Sequence, residues 1–159
     1  MADDVKNPDY TIRTQYMKDQ SFENPNAPEV YGMMTQQQPN LDISIDVSPT
    51  QLQDRTYEVT LSLRADAKIG EQSAFVAERD YAGVVSFGEG VSNEDMQHLL
   101  MVETPHYLFP FARAIMASAT RDGGFPPLVI NPIDFSQLRN QQAKDGNGAG
   151  EEAAQEAQA

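Results

Sequence analysis

The chain has 159 residues, enough for one domain with a real core, and carries 24 acidic against 11 basic side chains for a net charge of −13. That balance argues against nucleic acid as a partner, because phosphate binding needs a surplus of Lys and Arg. Cysteine is absent, which excludes a disulfide framework and thiolate metal sites. No apolar run approaches the ~20 residues of a bilayer span. The opening MADDVKNPDY is acidic and polar, unlike a signal peptide, so a cytoplasmic protein without membrane insertion is expected.

Residues 1–9 read as a disordered lead and residues 10–143 as the folded domain. Tyr10 to Met17 alternates Tyr10, Ile12, Thr14 and Tyr16 against Thr11, Arg13, Gln15 and Met17, which predicts a first strand. Asp19 to Pro28 reads as a polar turn segment with Phe22 as its one candidate for burial. Glu29 to Pro39 continues as a loop carrying Val30, Tyr31, Met33 and Met34. An irregular connection of that length is typical of functional or mobile loops.

Leu41, Ile43, Ile45 and Val47 then alternate with polar residues up to Pro49, and Tyr57 to Ala67 alternates likewise up to Gly70. Both predict half-buried antiparallel strands. A further strand, Ser73 to Phe87, places Phe75, Ala77, Tyr81, Val85 and Phe87 on one face. Val76, Glu78, Asp80, Ala82 and Val84 fall on the other, so an apolar spot lies beside an acid on the wet side. Gly83 within it marks a bulge or a close backbone approach.

Ser92 to Val102 predicts a short helix, with cap residues and acids at its start and Met96, Leu99 and Leu100 on its apolar side. A longer helix follows, with Pro110 in its first turn and Asp122-Gly123-Gly124 as its stop. Leu108, Phe111, Ala112, Ile115 and Ala119 follow a 3.6-residue period, widened by Phe109 and Met116. Ala114, Ala117 and Ser118 keep the remaining surface small, so the helix can be covered twice, by its own sheet and by a second copy. Phe125 to Pro132 must be extended, being interrupted by three prolines. A last amphipathic helix starts near Asp134 with Phe135 and Leu138, and residues 144–159 read as a disordered acidic tail.

Strands first and helices last predict an α+β fold: a four-stranded antiparallel sheet with helices packed on one face. The long connection after the first strand is explained by a crossover that puts the first strand beside the fourth. Catalytic signals are weak. His98 and His106 have no second ligand at metal spacing, and Gly88-Glu89-Gly90 lacks the third Gly and the Lys of a phosphate loop. No GxSxG elbow occurs and no acids are paired in an apolar setting, so neither an enzyme nor a cofactor or metal is expected.

Tyr16-Met17-Lys18-Asp19 followed by Ser21-Phe22-Glu23-Asn24-Pro25-Asn26-Ala27-Pro28 resembles the N-terminal signature of the SecB family of bacterial export chaperones. The resemblance continues at Tyr57-Glu58-Val59, Ala74-Phe75-Val76 and Tyr81-Ala82-Gly83. It is strong again at Leu108-Phe109-Pro110-Phe111-Ala112-Arg113, and closes with Gly124-Phe125-Pro126-Pro127-Leu128 and Asn131-Pro132-Ile133-Asp134-Phe135.

The resemblance implies a nucleotide-free homotetramer, a dimer of dimers with long helices sandwiched between sheets. It would hold unfolded preproteins in the cytoplasm and pass them to the SecA motor ATPase. Its implied contact with the basic, zinc-containing C-terminal segment of SecA maps onto Asp19, Glu23, Val76 and Glu78. Client grooves map by position onto Tyr16, Phe22, Ile43, Ile45, Phe135 and Leu138, and the oligomer interface onto Phe111, Ala114, Ile115, Ala117 and Ser118. The chain departs from many members in having no Trp in the crossover loop, where Met33-Met34-Thr35-Gln36 stands. The alternative is a SecB-like chaperone dedicated to an antitoxin in a stress-response system.

Overall fold

The computed structural model describes residues 9–156, with side chains as far as residue 145. Four long strands, β1 (Tyr10–Glu23), β2 (Asn40–Gln53), β3 (Thr56–Ile69) and β4 (Gln72–Phe87), form one antiparallel sheet in the order β1-β4-β3-β2. The first strand therefore does lie beside the fourth, and the connection from β1 to β2 spans the sheet from one edge to the other. It contains a short helix, α1 (Glu29–Met33), where the sequence suggests only loop. Asn26 Nδ2 ties this connection to the Ser73 carbonyl at 2.8 Å, and the Tyr31 hydroxyl donates to the Gly123 carbonyl at 2.7 Å.

β1 does not stop at Met17. It continues through Asp19 to Glu23, the segment expected to be a turn, and pairs with β4 as far as Glu23↔Val76. The register shifts twice, between Ile12 and Thr14 and between Met17 and Asp19, so Arg13 and Lys18 have no opposite residue in the β4 ladder. Each bulge adds one residue and breaks the period of two. Tyr10 and Ile12 face the core side, Tyr16 faces the other, and Phe22 is back on the core side, opposite Ala77. β2 likewise runs past Pro49, which an edge strand tolerates because no neighbour needs its missing N–H.

The helices follow on one face. Ser92 caps α2 (Asn93–His98), its hydroxyl accepting from the Asp95 N–H at 3.1 Å. The expected break before the long helix is absent: a π-helical turn, Leu99–Glu103, leads straight into α3 (Thr104–Asp122). Thr104 stitches this junction, giving its backbone N–H and its hydroxyl (2.7 Å) to the Leu99 carbonyl while the Tyr10 hydroxyl donates to it at 2.5 Å. Pro105 takes the first-turn position expected for Pro110, which sits in the interior of α3. There it withholds the N–H that the His106 carbonyl would receive.

α3 ends in a Schellman motif: Gly124 N–H bonds the Arg121 carbonyl and Phe125 N–H the Thr120 carbonyl, both at 3.0 Å, with Gly124 at φ +86°. Gly123 is needed for space instead, since a Cβ there would lie 2.3 Å from Phe22 Cζ. Thr120 is fully buried, and its hydroxyl accepts the Leu128 N–H at 2.9 Å, fastening the proline-rich segment to the helix.

The core lies between α3 and the sheet and is built on Leu61, Leu63, Leu100, Leu108 and Met116. Leu108, Phe109, Ala112, Met116 and Thr120 form the buried face of α3. Phe111 and Ile115, expected in that stripe, lie at its margin: Phe111 is half-exposed and stacks on Tyr81, and Ile115 packs against the core but is only partly buried. Gly83 marks a close approach and not a bulge, because a Cβ would meet Leu108 Cδ2 at 3.0 Å. α4 (Phe135–Glu156) starts as expected, and its helical backbone runs on into the residues read as a disordered tail. The expected lead falls, except for Asp9, outside the described residues.

Candidate functional site

Three surfaces concentrate exposed chemistry. The first is the outer face of the sheet near the ends of β1 and β4. The ladder sets Glu23 opposite Val76, Ser21 opposite Glu78 and Asp19 opposite Asp80. Directly opposed residues of an antiparallel pair share a face, so Asp19, Glu23, Val76 and Glu78 form one patch. Asp19, Glu23 and Glu78 are exposed and Val76 is half-buried among them. The second bulge of β1 makes this possible, because it returns Asp19 to the outer face after Tyr16 and an inward Met17.

Further along the same face, the Tyr16 hydroxyl donates to Glu58 Oε2 and Lys18 Nζ lies 2.6 Å from Glu58 Oε1. The hydrogen bond to Glu58 pushes the Tyr16 phenol up to about 12. In turn Lys18, and then Tyr16, hold the Glu58 carboxyl below its usual range. Arg64, opposite Glu78 in the β3–β4 ladder, is ion-paired with it.

The second surface is on the helix side. Beyond the helices' cover, Leu41 and Ile43 of β2 stay exposed while Ile45 packs against the core. Met34, Leu41, Phe75, Phe125, Leu128 and Val129 line an apolar groove there of about 190 Å³. An aromatic cluster backs it: Phe22 stacks on Phe75 with ring centroids 5.8 Å apart, and Phe125 lies 4.9 Å from Phe75 and 5.5 Å from Tyr31. Phe135 is buried edge-on against Phe109 at 6.1 Å, and Leu138 is partly buried beside it.

Of the six groove candidates, Phe22, Ile43, Ile45, Phe135 and Leu138 thus lie on the helix side. Tyr16 does not: the first bulge places it on the outer face, against Glu58. Sequence reasoning missed Phe75, Phe125, Leu128 and Val129. The three prolines that force residues 125–132 to be extended were the available signal, since an extended apolar segment beside a loop makes a groove wall.

The third surface runs along α3. Tyr107, Phe111, Ala114 and Ser118, at helical spacing, form a partly exposed stripe along α3, with Tyr107 52% and Phe111 50% exposed. Ile115 and Ala117 flank it, partly buried, and the Phe111 ring stacks on Tyr81 at 6.0 Å. Among the described residues no group of three His, Asp or Glu side chains could hold a metal ion, and no helix is long and apolar enough to cross a membrane.

A family model described as preprotein translocase subunit SecB matches residues 3–146. The chain belongs to the SecB family. It is 43% identical over 140 residues to the protein-export protein SecB of Rhodospirillum centenum, covering 88% of this chain and 83% of that one. It is 47% identical over 137 residues to that of Rhodopseudomonas palustris, covering 86% and 85%. Among solved structures, the Mycobacterium tuberculosis SecB-like chaperone in complex with a peptide from an antitoxin superposes with a TM-score of 0.64. It is 16% identical and covers 78% of this chain and 90% of that one, a likeness that shows the shared fold. SecB chains are protein-export chaperones that bind unfolded clients, a role that asks for binding surfaces and not for a reaction centre.

Proposed function

We propose that this chain works as a cytoplasmic homotetramer that holds unfolded preproteins in its apolar grooves and hands them to SecA through the outer face of its sheet. The observation that carries this reading is the cross-strand patch of Asp19, Glu23, Val76 and Glu78. Three exposed acids around one apolar side chain complement a basic segment with an apolar contact, and they lie on the opposite side of the sheet from the groove. Client and motor can therefore be bound together. The groove gains adaptability from Met34, since flexible thioethers fit many shapes. The net charge of −13 favours clients with exposed basic residues and speeds encounter. Affinity spread over many weak contacts makes selection kinetic, so slowly folding clients are retained. The stripe of Phe111, Ala114, Ile115, Ala117 and Ser118 supplies the interface between copies.

The test mixes the protein with a denatured, slowly folding precursor and follows refolding with and without SecA. Equimolar tetramer should slow refolding, and unslowed refolding would sink the chaperone role. Glu78→Lys should abolish SecA binding and leave client holding intact; loss of both, or of neither, refutes the assignment of the two faces. An antitoxin-dedicated chaperone, the alternative, would hold its antitoxin and leave precursor refolding unslowed.

A further inference from the structure

The patch proposed for SecA is not empty of positive charge. Arg64 stands opposite Glu78 in the ladder and its Nη1 is bonded to Glu78 Oε1. Its Nη2 lies 3.8 Å from Asp66 Oδ2, two residues along the same strand and on the same face. Arg64 and Glu78 side chains are 48% and 49% exposed, so this pair is wet and exchanges readily. Asp66 Oδ1 is buried with no hydrogen-bond donor among the described residues. Arg64 therefore has two carboxylates within reach, one already bonded and one with an unused acceptor.

We propose that Arg64 is a built-in competitor for the docking face. It occupies the Glu78 carboxylate in the free chaperone, and a basic partner segment binds by displacing it onto Asp66. This rests on the reading that Asp19, Glu23, Val76 and Glu78 receive the basic segment of SecA. No covalent bond is made or broken; one guanidinium moves from one carboxylate to another as the partner's Lys or Arg takes its place. Asp66 lowers the cost of the exchange, since its vacant oxygen gains a donor when Arg64 arrives. Arg64 thus sets how tightly, and with what salt dependence, the motor is held.

The test titrates the zinc-loaded C-terminal peptide of SecA into the intact oligomer by calorimetry at low and at high salt. Exposed ion pairs are weak, so Arg64→Ser should tighten binding by about two- to five-fold at low salt, with the gain shrinking as salt rises. Asp66→Asn should weaken binding, because Arg64 then has nowhere else to go. Lys144→Gln, which removes one positive charge from an exposed site on α4, controls for net charge. Equal gains from Arg64→Ser and Lys144→Gln would mean that only overall charge matters and would overturn the proposal. So would an unchanged or weaker Arg64→Ser in a background where Glu78→Gln still weakens binding, and that outcome would leave the docking face standing. If Glu78→Gln has no effect, the docking face itself is wrong and Arg64 falls with it.

Discussion

Tyr16 and Glu58 show how a single contact on an outer strand face registers in two titrations. The Glu58 carboxyl is held down, by Lys18 first and then by Tyr16, so its contribution to stability is present above the usual carboxylate range. That contribution fades only as pH falls through the lowered value. Tyr16 is pushed from 10.0 up to about 12, so its contribution is whole below pH about 10 and is lost as pH climbs through about 12. Ultraviolet titration of phenolate absorbance should show Tyr16 ionising near 12, late together with Tyr10 and Tyr81, which burial raises. In Glu58→Ala one of the late tyrosines should return toward the ordinary range; no loss from the late group would mean that another side chain is responsible.

At the scale of elements, the join between α3 and the extended segment after it depends on Thr120. Its hydroxyl receives the Leu128 N–H at 2.9 Å in a fully buried site. Thr120→Val keeps the volume and leaves that N–H without a partner, which should cost about 1–3 kcal/mol, read from the urea midpoint at fixed protein concentration. The alternating strands β2, β3 and β4 and the general course of the helices were legible in the sequence, because one wet face and one buried face leave a periodic trace. β1 was legible only to Met17. Past that point its apolar residues Met17 and Phe22 are five apart, an odd spacing that no regular strand produces, and the bulge at Lys18 is the reason. The faces of α3 were confused for a different reason. Phe111 and Phe109 are equally apolar, and burial goes to Phe109 because Leu108, Ala112 and Met116 share its side of the helix. The proposed docking patch could be named only through family resemblance, since Asp19 and Val76 are far apart in the chain and only the β1–β4 register joins them.

At the scale of the whole molecule, an apolar band on α3 is left partly uncovered among the described residues. Tyr107 and Phe111 stand half-exposed on α3, beside Ala114 and Ser118, whose small side chains let another backbone come close. Burying a side chain of the size of Phe is worth about 1.5–3 kcal/mol, and a carboxylate in its place would have to be desolvated. Phe111→Asp should therefore weaken assembly by more than about tenfold at each interface it occupies. Sedimentation at micromolar concentration should show the proposed tetramer giving way to smaller species, with the helical and strand content unchanged. A persistent tetramer would move the interface elsewhere.

The bulges of β1 have a second effect, on tolerance to changes in length. Met17 pairs with Tyr81 and Asp19 with Asp80, so Lys18 adds a residue without adding a rung, as Arg13 does between Ile12 and Thr14. Omitting either residue removes its bulge, and every other side chain keeps the face it has. Omitting Gln15, which holds a rung opposite Gly83, must instead be absorbed by a neighbouring bulge or it turns Phe22 outward and the acids inward. The strand that carries half of the proposed docking patch thus holds two residues that can be lost without exchanging one face of the sheet for the other.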